Sequence, residues 1–218
     1  MSLFCLPMCR VLTGVVACVA LVACSSPQAH FHRLVAADEV AVAVPPSALL
    51  VDVLPVRVPP SVAGRRLVVQ RSSGEVDVLE MDRWASPLAD EIRAALSSGL
   101  ALRISVMDRH GLPYDGKRPA YRVAVDVQRF DAWRGSHVLI DAVWTLRTAD
   151  DRPMLTCRSV VNEDVSAGID GVVQGQRRAL NMLASQMAEP LLAYATAPSE
   201  PVRPMPGCVD SSARTLAN

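Results

Sequence analysis

The apolar residues of this chain switch between a two-residue and a 3.6-residue repeat, and that alternation constrains the fold more than any single motif. Ala48 to Val58 opens with a β-branched apolar run (Leu50, Val51, Val53, Val56) closed by Pro59-Pro60, which reads as a strand. Leu67-Val68-Val69 and Val76-Asp77-Val78-Leu79 flank Ser72-Ser73-Gly74, a hairpin in which Gly74 can supply a positive φ. Trp84, Leu88, Ile92, Ala95, Leu96 and Leu100 then recur at three- and four-residue spacing, predicting a helix to about residue 101. Pro87 suits its first turn, Ser86 its N-cap, and Asp90 and Glu91 its positive dipole end.

A short strand is expected at Arg103–Val106 and a Gly/Pro loop from His110 to Pro119. Alternation returns in three segments: Tyr121 to Val127, Val138 to Leu146, and Met154 to Val161. Ile169, Val172, Val173, Gln176, Leu180, Leu183, Met187 and Leu191 trace one face of a final helix from about Asp170 to Tyr194. The order β-β-β-α-β-β-β-α predicts a single α+β domain. Its sheet is largely antiparallel or mixed, with about six to seven strands and both helices on one face.

The N-terminus sets the address. Met1 to Arg10 carries one positive charge, and Val11 to Ala23 is an uncharged apolar run shorter than the about 20 residues a membrane-spanning helix needs. It ends in Leu21-Val22-Ala23-Cys24, the cleavage and acylation signal of a bacterial lipoprotein; Val15-Val16-Ala17-Cys18 would leave too short an apolar segment. Residues 1–23 are thus expected to be a signal peptide and 24–47 an acylated cysteine and tether. The domain then occupies 48–195, and 196–218 form a Pro-rich disordered tail. As a flexible chain the tether reaches about 25–30 Å, enough to hold a domain clear of the headgroups, although Phe31 to Leu34 can instead pair as an early edge strand. Ser25 rather than aspartate follows Cys24, which in lipoprotein sorting points to the outer membrane.

With 50% apolar and 20% charged residues and no net charge, the chain is globular and lacks the basic footprint of a nucleic-acid binder. Of six cysteines, Cys5, Cys9 and Cys18 leave with the signal peptide and Cys24 takes lipid, so only Cys157 and Cys208 remain. Their compartment permits a disulfide, but Cys157 falls in a strand and Cys208 in the Pro-rich tail, which weighs against pairing without excluding it.

No catalytic constellation emerges. There is no G-x-S-x-G, and His30 and His32 lie in the tether while His110 and His137 lie at loop or strand ends, all read as solvated. Asp38-Glu39, Asp150-Asp151 and Glu163-Asp164 read as turns, and Gly168 and Gly171 as a helix end without a phosphate-binding pattern. No metal site, enzyme activity or cofactor is expected beyond covalent lipid on Cys24. Aromatics beside charge are more informative: Arg83-Trp84 with Pro87, Phe130 with Trp133, and Trp144. Packing is the simpler role for Trp84 and Trp144, whereas Trp133, in a turn, is a candidate contact residue.

The lipobox, VDVLPVRVPP, RRLVVQRSSGEVDVLEMDRWASPLADEI, YRVAVDVQRFDAWRGSHVLIDAVWTLR and the last amphipathic helix together resemble the PqiC/YmbA-type lipoproteins. These are auxiliary lipoproteins of ABC-type, MCE-associated transport systems. The resemblance implies a non-enzymatic lipoprotein at the periplasmic face of the outer membrane. It would dock an MCE-domain channel protein in support of lipid transport and envelope integrity, and it is compatible with a ring-like homo-oligomer. The competing expectation is a periplasmic lipid- or glycan-binding lipoprotein working alone, with a pocket between sheet and helices.

Overall fold

A computed structural model describes residues 28–35, 49–111, 114, 116, 118–196 and 205–211. Cys24 with its lipobox, most of the tether and much of the tail lie outside the described residues.

Nine strands form two sheets. β1 (His30–His32) lies parallel to β4 (Glu75–Trp84), which pairs antiparallel with β3 (Arg66–Ser72) in a three-stranded sheet. The larger sheet has the order β5-β2-β6-β7-β8-β9. In it β2 (Leu50–Val53) is held parallel between β5 (Met107–Asp108) and β6 (Ala120–Ala132). β7 (His137–Thr148), β8 (Pro153–Asp164) and β9 (Cys208–Asp210) continue antiparallel. Helices α1 (Leu88–Ile104) and α2 (Ile169–Thr196) pack on each other and on this sheet. The single α+β domain is therefore as expected, while the simple strand order is matched only roughly.

The alternation works as predicted where one face of the sheet is buried. Val123, Val125 and Val127, then Ile140, Ala142, Trp144 and Leu146, then Leu155, Cys157 and Val161 meet Val172, Leu180, Leu183 and Met187 of α2 in one core. β2 is instead buried at all four positions, because Arg109, His110 and Arg122 close over Asp52 on the face turned away from the core. Pro55 ends it early, and the chain meets β6 again at the parallel bridge Arg57↔Asp126.

Glycine allows two close approaches, of α1 to α2 at Gly99 and of α2 to the segment after β8 at Gly175. A Cβ on Gly99 would stand 2.8 Å from the Ala184 Cβ, and one on Gly175 would stand 2.2 Å from a Val165 methyl, so neither position has room for a side chain.

Four local expectations are corrected. α1 runs to Ile104, through the segment assigned to a strand, and stops where Ser105 turns left-handed (φ 49°); the strand is Met107–Asp108. Pro87 is the N-cap itself, and Ser86 makes no cap hydrogen bond. Gly74 does not take a positive φ; a register shift between Gln70 and Ser72 accommodates the hairpin's twist. The tail is not wholly disordered, because Cys208–Asp210 pairs with Leu155–Cys157 as β9. A Cys157–Cys208 disulfide fixes that pairing, a bond that the strand-versus-tail placement had weighed against.

Candidate docking surfaces

The singled-out residues do not converge. Trp84, Phe130 and Trp144 are core, each at most 4% exposed, and the Trp144 indole N–H donates to Ser159 Oγ at 3.0 Å. Trp133 is half-buried in the β6–β7 turn and stacks on His137 with ring centroids 4.2 Å apart. Arg83 donates to the Glu80 carbonyl at 3.0 Å, and Pro87 is exposed at the start of α1. Of these, only Arg83, Trp84 and Pro87 lie at the corner where the small sheet hands the chain to α1.

The histidines are better held than solvated positions require. Asp82 receives His32 Nε2 at 2.9 Å and lies 3.6 Å from His30 Nδ1, both in β1 rather than in a free tether. His110 Nδ1 lies 3.3 Å from Asp52 Oδ1. Ser136 Oγ and His137 Nδ1 are 2.9 Å apart, but they are sequence neighbours on an exposed turn, a poor frame for orienting a nucleophile. Among the described residues no group of three or more His, Cys, Asp or Glu could hold a metal ion, and no helix is long and apolar enough to cross a membrane.

Two surfaces stand out instead. The first is the face of the large sheet opposite the helices, where alternate residues of β6, β7 and β8 point away from the core. Its charges are neutralised within the face. Asp52 sits among Arg109 (3.9 Å), His110 (3.3 Å) and Arg122 (3.7 Å), and Arg122 also reaches Asp151 (3.1 Å). Arg57 pairs with Asp126, and Arg158 forks onto Asp141 with contacts of 3.0 and 2.6 Å. The Arg158 hydrogen bonds hold the Asp141 carboxyl below its usual range, outweighing the burial that opposes ionisation. Between these pairs lie half-buried Ala124, Val143, Thr145 and Thr156 and exposed Val160. Leu54, Pro55, Arg57, Ala124, Asp126, Val143, Thr145 and Arg147 line a shallow depression of about 390 Å³ on this face.

The second surface surrounds β1. Phe31 is 60% exposed beside a hollow of about 530 Å³ lined by Phe31, His32, Arg33, Val35, Ala85 and Arg177. A residue assigned only to the helix dipole builds it. Glu91, 6% exposed, takes the Leu34 N–H on one oxygen (2.9 Å) and the Ser86 N–H and hydroxyl on the other (3.1 and 2.6 Å). Leu34 is thereby drawn into the core at 3% exposure. No spacing rule announces this clamp, because its partner lies far upstream in the chain.

A mixed sheet with two helices on one face and a disulfide-stapled strand β9 at its edge defines an α+β module. Residues 33–188 match the family of ABC-type transport auxiliary lipoprotein components, and the chain belongs to that family. Two crystal structures share the fold. One, of a protein described only as uncharacterized, is 19% identical with a TM-score of 0.59, covering 76% of this chain and 99% of that one. The other, of a Xanthomonas campestris protein, is 18% identical with a TM-score of 0.56, covering 71% and 90%. No curated protein is similar enough to this sequence to count as a match.

Proposed function

We propose that this chain is a non-catalytic lipoprotein that places a docking domain at the periplasmic face of the outer membrane. There it engages an MCE-domain channel protein of an ABC-type system, supporting lipid transport between the membranes and envelope integrity. Cys24 carries the acyl anchor, and copies arranged as a ring around the channel tip belong to the same reading. One observation carries it: among the described residues no helix covers the sheet face opposite α1 and α2, and its charges are already paired among themselves with small apolar and hydroxyl side chains between them. Such a face can meet a partner without stranding an unpaired charge. Membership of a transport auxiliary lipoprotein family supports the same assignment.

A lone lipid carrier would need room between sheet and helices. The centre of that space is filled by Trp144, Leu180, Leu183 and Met187, each at most 2% exposed, and the hollow of about 400 Å³ at its edge, between β8 and α2, carries the polar side chains of Arg158, Gln186 and Glu189.

The test places a photo-crosslinking residue at Val143 or Val160 of the acylated protein in intact envelopes. The expected product is a covalent adduct with an MCE-domain protein, absent when the same probe replaces buried Leu183. Cys24→Ala should leave a folded protein that no longer fractionates with the outer membrane. Crosslinks only to other proteins, or unchanged fractionation of Cys24→Ala, would refute the docking or the anchoring reading respectively.

A further inference from the structure

We infer that the surface around Phe31 rests on the bilayer that holds the acyl chains, so that the lipoprotein lies against its membrane in one orientation. The inference assumes acylation of Cys24 as proposed above. Its ground is the length of free chain left once β1 is seated. His30–His32 pairs with Asp82–Trp84, the Ala85 N–H donates to the His32 carbonyl at 2.8 Å, and Glu91 fixes Leu34. The tether therefore does not run from Cys24 to residue 47: it ends at His30, where folded structure begins. Six residues span at most about 20 Å when fully extended. A domain of this size is about 40 Å across. Only the side that carries β1 can then face the headgroups.

That side has the chemistry of an interfacial contact. Among the described residues Phe31, at 60%, is the most exposed of the large apolar side chains. Its neighbour across the strand pair is Arg83. Arg33 and Arg177 line the same hollow, with Arg177 donating to the Arg33 carbonyl at 3.0 and 2.8 Å, and Arg65 donates to the carbonyl of Ala85 in its wall at 2.6 Å. The guanidinium groups of Arg65, Arg83 and Arg177 thus lean on backbone oxygens, and among the described residues none of these four arginines has a carboxylate partner. Of the acids beside them, Asp82 is engaged by His30 and His32, and Glu91 by Leu34 and Ser86. Five donors per guanidinium leave N–H groups free for phosphate oxygens. An aromatic ring ringed by unneutralised arginines suits the boundary between lipid phosphates and acyl chains, where such surfaces insert about 5–10 Å.

The experiment uses the full acylated protein with Phe31→Trp, an exposed position that tolerates the larger ring. It is reconstituted in phosphatidylethanolamine/phosphatidylglycerol vesicles carrying bromine either high or low on the acyl chains. The difference in fluorescence from the parent isolates the added indole from Trp84, Trp133 and Trp144. The expected result is quenching at least twofold stronger with shallow than with deep bromines, weakened by Arg33→Glu, whose backbone carbonyl still serves Arg177. Vesicle-bound, acylated protein whose added indole is not quenched would overturn the inference and leave anchoring intact. A chain whose mass shows no acyl group would instead remove the anchoring reading, and this surface with it.

Discussion

Removing the Cys157–Cys208 bond is the perturbation whose size follows most directly from the structure. The two cysteines are 51 residues apart, so the bridge closes a loop that takes in most of β8 and all of α2. The loop-closure relation gives about 4 kcal/mol of lost unfolded-state entropy for that length, an upper figure because native strain and residual structure reduce it. The strand it secures has little else to hold it. β9 is three residues long, flanked by the bonds Arg158 N–H to Gly207 carbonyl (2.8 Å) and Ser211 N–H to Met154 carbonyl (3.0 Å). Cys208→Ser should therefore cost about 2–4 kcal/mol, roughly 5–15 °C in Tm for a domain of this size. Cys208 is the better site to change, because Cys157 is 2% exposed and a serine there would also bury a hydroxyl. The assay is urea unfolding followed by tryptophan fluorescence, comparing parent, parent with reductant and Cys208→Ser. The last two should coincide, with a steeper denaturant slope than the parent because the freed chain exposes more surface. If the parent is shown by mass to be bridged and all three midpoints agree within about 0.5 kcal/mol, the entropic reasoning is wrong for this fold.

Two further predictions concern packing and pH. Helix propensity alone would have Gly175→Ala stabilise α2 by about 1 kcal/mol. The 2.2 Å approach to Val165 makes overpacking win, so the urea midpoint should fall by the equivalent of about 1–3 kcal/mol, and a rise would contradict the helix–sheet contact. Because Arg158 lowers the folded-state pKa of Asp141, that carboxylate contributes stability above the unfolded value of about 4, and the contribution is lost as pH falls through the folded value. Asp141→Asn should be less stable than the parent at neutral pH and should converge with it toward pH 2, as read from Tm against pH; a constant gap across that range would refute the assignment.

What the sequence showed depended on whether a segment answers to one neighbour or to two. β6, β7 and β8 alternate cleanly because one face meets α2 and the other does not, so period and structure coincide. α1 and α2 were legible for the same reason. β1, β5 and β9 were obscure because two or three residues are too few to establish a period, and their pairing is decided by distant partners: Asp82–Trp84, Leu50–Val51 and Leu155–Cys157. The split into two sheets was hidden as well. β4 leaves Val76 and Val78 about 45% exposed, a pattern that does not reveal which layer it joins. Of the candidate residues, Trp84 and Trp144 took the packing role expected of them. Glu91, which fixes how the N-terminal segment lies, had a plausible local role in the helix dipole that concealed its distant one.

The seating of β2 bears on how the molecule is assembled. β6, β7 and β8 join through short turns and can zip together locally, whereas β2 must pair from Leu50 to Ala120, across the small sheet and α1. Loop-closure entropy makes that pairing slow compared with the meander. A chain delivered N-terminus first could close β1, β3 and β4 into the small sheet while β2 still waits for β6 to present an edge. Burial of Val51 and Val53 becomes a late step, so a strand that comes early in the chain is among the last to find its place.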